Sequence, residues 1–346
     1  GTYTLTRTGA DENVGATGDL DLTGSVSIVG AGAGTTTVDA NQIDRVFHVQ
    51  TGGNASIAEI TIRNGSVLAH GAGVRNDGSL TLLSVTVDSN QNPDAEKNRF
   101  AGGGLYNAQN ASAIIQDSTF TNNYSDFDGG AIFSETGGNL DIARSTFSAN
   151  SVYRHGGAIA SFAQTFTLSD SRVVNNTAGS FGGGVSLYSG YSGGTASILR
   201  TEIAGNVSNG QGGGGAYVAG NSILISASTI SGNQALNTGT NLGIGAGILQ
   251  NDGTLEIDST TISGNQAHYL GAGINAYGTL SVSHSTITAN TTNAWAGGVL
   301  NAATSATFEN TIVAGNTGGD VGTDGTSIFT SLGHNLIGSA PEGKGF

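Results

Sequence analysis

Cysteine is absent from the 346 residues, which excludes disulfides and thiolate metal sites and leaves the redox compartment unread. Methionine is absent as well, so Gly1 is not a translation start and a removed upstream segment, such as a signal peptide, is expected. Charge is scarce: 10% of residues carry it, 11 basic against 25 acidic, with a net charge of −14 and lysine only at Lys97 and Lys344. Such a surface repels phosphate backbones and anionic headgroups, which excludes nucleic acid and anionic membranes as partners. A run of about 18 apolar residues is also missing, so there is no transmembrane segment of the helical kind. Helical spacing of apolar residues is not sustained anywhere, and leucine-rich or helix-pair repeats are not present.

What the chain has in excess is glycine, 58 residues, far above the roughly 7% of average usage. These glycines mark a repeat rather than a flexible linker. The motif Ser/Thr-x-Φ-x-x-Asn, with Φ apolar, ends at Asn90, Asn123, Asn150, Asn176, Asn206, Asn233, Asn265, Asn290 and Asn316. Only the first copy departs from it, with Val85 in the Ser/Thr place. A small-residue triplet recurs at positions 71, 102, 129, 156, 182, 213, 245, 271 and 296, and both series step by 25 to 33 residues. A fixed period of this length is the signature of a solenoid, which overrides any domain count based on length.

The local period decides which solenoid. Thr254-Leu255-Glu256-Ile257-Asp258 alternates apolar and polar, as does Leu140-Asp141-Ile142-Ala143; these are strands with one face buried. The expected fold is all-β, a single right-handed parallel β-helix over 1–346, of about twelve coils with two to three strands each. Opening coils span 1–65, regular repeats 66–316 and a closing segment 317–346. Each Asn would sit over the next as a ladder at a turn, since its amide both donates and accepts and Asn tolerates the left-handed region. The small triplets would form a second corner where backbones approach closely. Asn64-Gly65 stands one register off the ladder, so an irregular join is expected there.

Gly18-Asp19-Leu20-Asp21-Leu22, the run from Asp39-Ala40-Asn41 to Asp44-Arg45-Val46-Phe47, and Ile60-Thr61-Ile62-Arg63-Asn64-Gly65 resemble the opening of bacterial secreted β-helix proteins with a CSLREA-type N-terminal segment. Asn310 to Asn316 and Ser331 to Gly338 resemble the closing segment of the same proteins, which a surface anchor often follows. Gly129-Gly130-Ala131-Ile132 with Phe147-Ser148-Ala149-Asn150 resembles the GGA[ILV] and FxxN repeats of the polymorphic outer-membrane-protein family. The resemblances imply an extracellular or bacterial cell-surface protein, structural or adhesive. Autotransport is not expected to carry over from the resemblance, since no translocating barrel is read in residues 1–346.

Chemistry is expected on the variable loops between each Asn and the next triplet. Coil stacking would gather Lys97, Arg99, Asp126, Asp128, Tyr153, Arg154 and His155 into one patch. Arg99, Tyr153, Arg154 and His155 are the catalytic candidates for an acidic-polysaccharide lyase or epimerase, with Ca2+ on Asp126 and Asp128 neutralising a uronate. Phe100, Phe127, Tyr153, Phe181, Tyr269 and Trp295 are stacking platforms for a glycan. Against both readings, the residues just before each triplet are chemically mixed, which favours packing over a catalytic groove. The primary expectation is therefore a non-catalytic structural or adhesive solenoid without a cofactor, able to join other copies end to end or to bind glycans and host surfaces. His48 has no second His or Cys at ligand spacing, so no transition-metal site is expected there.

Overall fold

The computed structural model describes residues 1–9, 16–93, 96, 99–189, 193–220, 222–236, 243–302, 305–325 and 327–339. Single left-handed residues cut each repeat into strands short enough to turn corners. Between Ser112–Gln116 and Thr119–Thr121 stands Asp117 at φ 52°, and between Thr119–Thr121 and Tyr124–Ser125 stands Asn122 at φ 55°. Gly129, at φ 66°, then leads into Ile132–Ser134. Each strand pairs in parallel with its counterpart one turn away, so the repeats build four sheets. The result is a parallel β-solenoid of about eleven turns, with no helix among the described residues.

Two compact units divide the chain, Gly1–Thr167 and Leu168–Phe346. In the first, Val38, Ile62, Val87, Phe120 and Phe147 share one register column and are buried. The Phe120 and Phe147 rings stack 5.1 Å apart. In the second, Val173, Ile203, Ile230, Ile262, Ile287 and Val313 form the equivalent column. From Val87 onward these are the Φ positions of the motif, and burial of each contributes roughly 1.5–3 kcal/mol.

The Asn of the motif forms a buried ladder in each unit. Asn123 gives its amide N–H to Asn150 Oδ1 at 3.0 Å and to the Val87 carbonyl at 2.9 Å. In the second unit, Asn206, Asn233, Asn265 and Asn290 repeat the pattern, each side-chain amide reaching the next Oδ1 at 2.8–3.0 Å. The left-handed residue is not the ladder Asn, as the sequence reading had it. It is the residue before: Ser89, Asn122, Ala149, Asn175 and Ala289 have φ of 55–57°, and Gly205, Gly232, Gly264 and Gly315 fill the same place. One positive φ there swings the following side chain inward. The Ser or Thr of the motif makes a second ladder at the preceding corner, Ser118 N–H reaching Ser145 Oγ at 3.1 Å and Thr201 N–H reaching Ser228 Oγ at 3.1 Å.

Both ends of the Asn ladder are explained by what replaces the amide. Gly65 N–H donates to Asn90 Oδ1 at 2.9 Å, so Gly65 holds the first rung while Asn64 turns away to Asp39 at 3.0 Å. At the other end Asp320 Oδ1 accepts both the backbone and side-chain N–H of Asn316 at 2.8 Å. The triplet corner holds only Gly or Ala, and it is tight at Gly130, where a Cβ would lie 2.2 Å from the Gly157 carbonyl oxygen.

Replacing Asn233 by Ala removes two bonds it donates from its side chain and two that Asn206 makes to its Oδ1. A loss of roughly 1–3 kcal/mol is expected, read as a lower midpoint in chemical denaturation, whereas Asn139→Ala, at an exposed position, leaves the midpoint unchanged.

Candidate functional site

Alternation along the strand after each glycine corner turns its middle side chain outward, yet these side chains are buried. Tyr106, Phe133 and Ala160 in the first unit, and Tyr217, Leu249, Asn275 and Leu300 in the second, are at most 7% exposed. What covers them is the loop segment leading into the corner. Phe127 packs on a cluster that includes Tyr106 and Phe133, and Phe181 and Ile244 pack on Tyr217 and Leu249. A second apolar layer therefore lies outside each solenoid core, and much of the loop edge belongs to it.

The candidate residues distribute accordingly. His155 and Asp128 meet across adjacent turns, with His155 Nδ1 3.2 Å from Asp128 Oδ1 and the His155 backbone N–H donating to the same oxygen at 3.0 Å. Arg154 lies over the Phe127 ring with its guanidinium carbon 4.4 Å from the centroid. Asp126 accepts a hydrogen bond from the Tyr124 hydroxyl, and both Asp126 and Asp128 are buried. Burial and that neighbouring carboxylate raise the Tyr124 hydroxyl above its ordinary range. Arg99 is exposed, pairs with Glu96 at 3.4 Å and overhangs Phe100; Lys97 lies outside the described residues. Tyr153 stands half-exposed beside this group. The structure thus joins Asp128, His155, Phe127 and Arg154 into one knot in which carboxylate, imidazole and guanidinium are each engaged.

The other aromatic candidates divide by exposure. Phe181 tilts against Tyr217 with centroids 4.6 Å apart. Trp295 bridges Leu270 in parallel register, and its indole closes over Gly322, whose Cβ would lie 3.1 Å from Trp295 Nε1. Tyr269 presents its ring to solvent, 41% exposed. Tyr153 and Tyr269 are exposed; Phe100, Phe127, Phe181 and Trp295 are half-buried.

A polar cluster at the start of the first unit escaped the sequence reading. Asp21, His48 and Arg75 occupy one outward column on Leu20–Leu22, Phe47–Val49 and Val74–Asn76. His48 Nε2 lies 2.5 Å from Asp77 Oδ2, and Arg75 holds the same carboxylate at 2.7 and 3.2 Å. Gln50 Nε2 lies 2.5 Å from Asp21 Oδ1 and 2.9 Å from His48 Nδ1. Asp19 pairs with buried Arg45 at 3.1 Å. Burial raises the Asp19 carboxyl to about 7 against the opposing charge of Arg45. For Asp77 burial acts upward too, but the bonds from His48 and Arg75 outweigh it and bring the group down to about 2. Strict alternation in these strands was the available signal. The contacts of His48 with Asp77, Gln50 with Asp21 and Arg45 with Asp19 cross whole turns, so local spacing alone did not announce the cluster.

Next along this face, His70 stacks on Tyr106 at 4.3 Å and accepts the Ala101 N–H at 3.1 Å through Nδ1. Burial, followed by the charges of Arg75 and Arg45, lowers its pKa to about 4.

With this geometry in hand, a match falls on residues 117–135: the model of the Chlamydia polymorphic membrane protein (Chlamydia_PMP) repeat. That stretch holds the Asp117 corner, the Phe120 and Asn123 column positions and the Gly129–Ala131 corner. No curated protein and no solved structure matches the chain. The chain is thus a repeat β-solenoid similar, over this stretch, to the polymorphic membrane protein repeat.

Two outcomes follow from the outer layer. A buried His held neutral costs stability wherever the unfolded chain binds the proton and the folded one does not. The His70 contribution is therefore complete above about pH 6.5 and declines as pH falls toward 4. His70→Phe should flatten that part of the thermal-midpoint profile relative to wild type. Asn275, fully buried, makes no side-chain hydrogen bond among the described residues and lies between Leu249 and Leu300 in register. Asn275→Leu is expected to stabilise the chain by about 1–3 kcal/mol, the desolvation penalty removed, read as a higher denaturation midpoint.

Proposed function

We propose that the chain is a non-catalytic structural solenoid of the bacterial cell surface or extracellular space whose loop edge makes adhesive contacts. One observation carries this reading: the polar residues that recur with the period are used in turn-to-turn hydrogen bonds, as Asn123 to Asn150 and Ser118 to Ser145 illustrate. A repeat of this kind encodes a scaffold, and individuality lies in the loops. The 117–135 match supports a surface location, and the resemblance to secreted β-helix proteins with CSLREA-type opening and anchored closing segments points the same way. Within this reading, Tyr153 and Tyr269 are the rings offered to a glycan, since both are exposed. End-to-end association with another copy fits as well: Tyr3 and Val29 near the start, and Ile328, Leu332 and Leu336 near the finish, are exposed apolar side chains.

The alternative, an acidic-polysaccharide lyase or epimerase with Ca2+ on Asp126 and Asp128, rests on His155 against Asp128 with Arg154 beside them. His155 is turned toward its carboxylate with its side chain 14% exposed, and Arg154 is spread over Phe127. Both are placed to hold the loop together more than to meet a substrate.

Binding and turnover separate the readings. Immobilised neutral glycans should retain the chain, and Tyr153→Ala or Tyr269→Ala should weaken retention without moving the thermal midpoint. No ultraviolet-absorbing unsaturated uronate should form on pectate or alginate, with or without Ca2+. Product that disappears in His155→Ala would sink the non-catalytic reading and establish the lyase.

A further inference from the structure

We propose that Asp19, Asp21 and His48 form a divalent-cation site that takes Zn2+, with Asp77 positioning the imidazole from behind. The three side chains offer ligand atoms that all lie within 4.8 Å of one another. Asp21 and His48 are register partners on adjacent strands, so strand spacing itself sets their separation. His48 Nδ1 is 3.5 Å from Asp21 Oδ1, whereas two ligands of a tetrahedral ion at about 2.0–2.1 Å stand about 3.4 Å apart.

The tautomer of His48 is the second, separate line of argument. Its Nε2 lies 2.5 Å from Asp77 Oδ2, a carboxylate that is anchored in turn by Arg75 at 2.7 Å. A carboxylate accepts but does not donate when ionised, so the imidazole proton sits on Nε2 and the Nδ1 lone pair faces Asp21. Carboxylate behind histidine, with the other nitrogen bare, is the arrangement that orients metal-ligating imidazoles. A hydrogen-bond donor already marks the place: Gln50 Nε2 lies 2.5 Å from Asp21 Oδ1 and 2.9 Å from His48 Nδ1. It stands where two acceptors converge, and an ion entering there displaces that amide or takes its oxygen after rotation. Asp19, paired with Arg45, completes the set with a carboxylate oxygen.

The donor chemistry selects the ion. An imidazole nitrogen with two carboxylates suits Zn2+ better than Ca2+ or Mg2+, which prefer oxygen alone. Asp19 and Asp21 belong to one turn and His48 to the next, so the ion would clasp the opening turns of the first unit.

Untagged chain, stripped with EDTA and dialysed, is titrated calorimetrically with ZnCl2, and separately with MgCl2 and CaCl2. One Zn2+ per chain is expected, with a higher thermal midpoint in its presence and no heat from the other two salts. Asp21→Asn and His48→Ala should each weaken binding at least tenfold, and Asp77→Asn about tenfold, the size of effect seen when a ligand's outer partner is removed. Gln50→Ala should bind at least as tightly as wild type, which a merely structural cluster would not do. His284→Ala, at the exposed histidine beside Asp258, should bind as wild type does. Absence of stoichiometric Zn2+ binding overturns the proposal, as does binding that survives both Asp21→Asn and His48→Ala. If His48→Ala loses its β-sheet circular dichroism, Asp21→Asn and Gln50→Ala decide the matter alone.

Discussion

A parallel solenoid must turn corners inside a dry core, and each corner leaves backbone N–H and C=O groups that strand pairing does not reach. Unpaired, such groups cost about as much as a hydrogen bond each. The ladders are the solution adopted at the two corners of the repeat motif. At one, a ladder Asn receives the backbone and side-chain N–H of its neighbour on Oδ1 and returns its own amide to a carbonyl, as Asn206, Asn233 and Asn265 do in succession. At the other, a hydroxyl accepts an N–H from one turn while donating within its own, as Ser118 does to the Gln116 carbonyl at 2.7 Å. A third ladder runs inside the strand after the glycine corner, from Asn76 to Asn107 at 2.7 Å and from Asn107 to Ser134 Oγ at 3.0 Å. Given these, the apolar columns need only fill the space between.

The glycine corner obeys a different constraint, backbone touching backbone. Because no Cβ fits at Gly130 and only Gly or Ala stands in the equivalent places, the chain on either side can approach and fold back over the outward strand face. That approach creates the second apolar layer. Phe127 and Phe181, which look in sequence like exposed platforms, serve there as lids over Tyr106 and Tyr217. The loop edge is accordingly part scaffold and part surface, and side chains such as Tyr153 and Tyr269 are what it exposes to solvent.

Charge, being scarce, is spent in register. Arg144 answers Asp117 at 2.7 Å in the first unit, and Arg200 answers Asp170 at 2.7 Å in the second, each at a left-handed corner residue. Those pairs are exposed and screened, so they contribute little to stability. The cluster of Asp19, Asp21, His48 and Asp77 is another matter, since burial there makes every unmatched charge costly. Its side chains are tied to one another across three successive turns.

Composition and period alone determined the class of fold, the buried Φ column and the Asn ladder, because each depends on a residue type recurring at the same place in every turn. Even the irregular join was visible, and Gly65 taking the first rung accounts for it. Stacking also foretold that Asp128 would meet His155. What the sequence left undecided were contacts between unlike residues at single positions. Nothing in Ala149 or Ser89 announces a left-handed corner, because φ there is imposed by the need to turn the next side chain inward. His70 on Tyr106, and Asp77 behind His48, join residues that do not repeat. Periodicity carries no information about such pairs; only the register of one turn on the next brings them within reach.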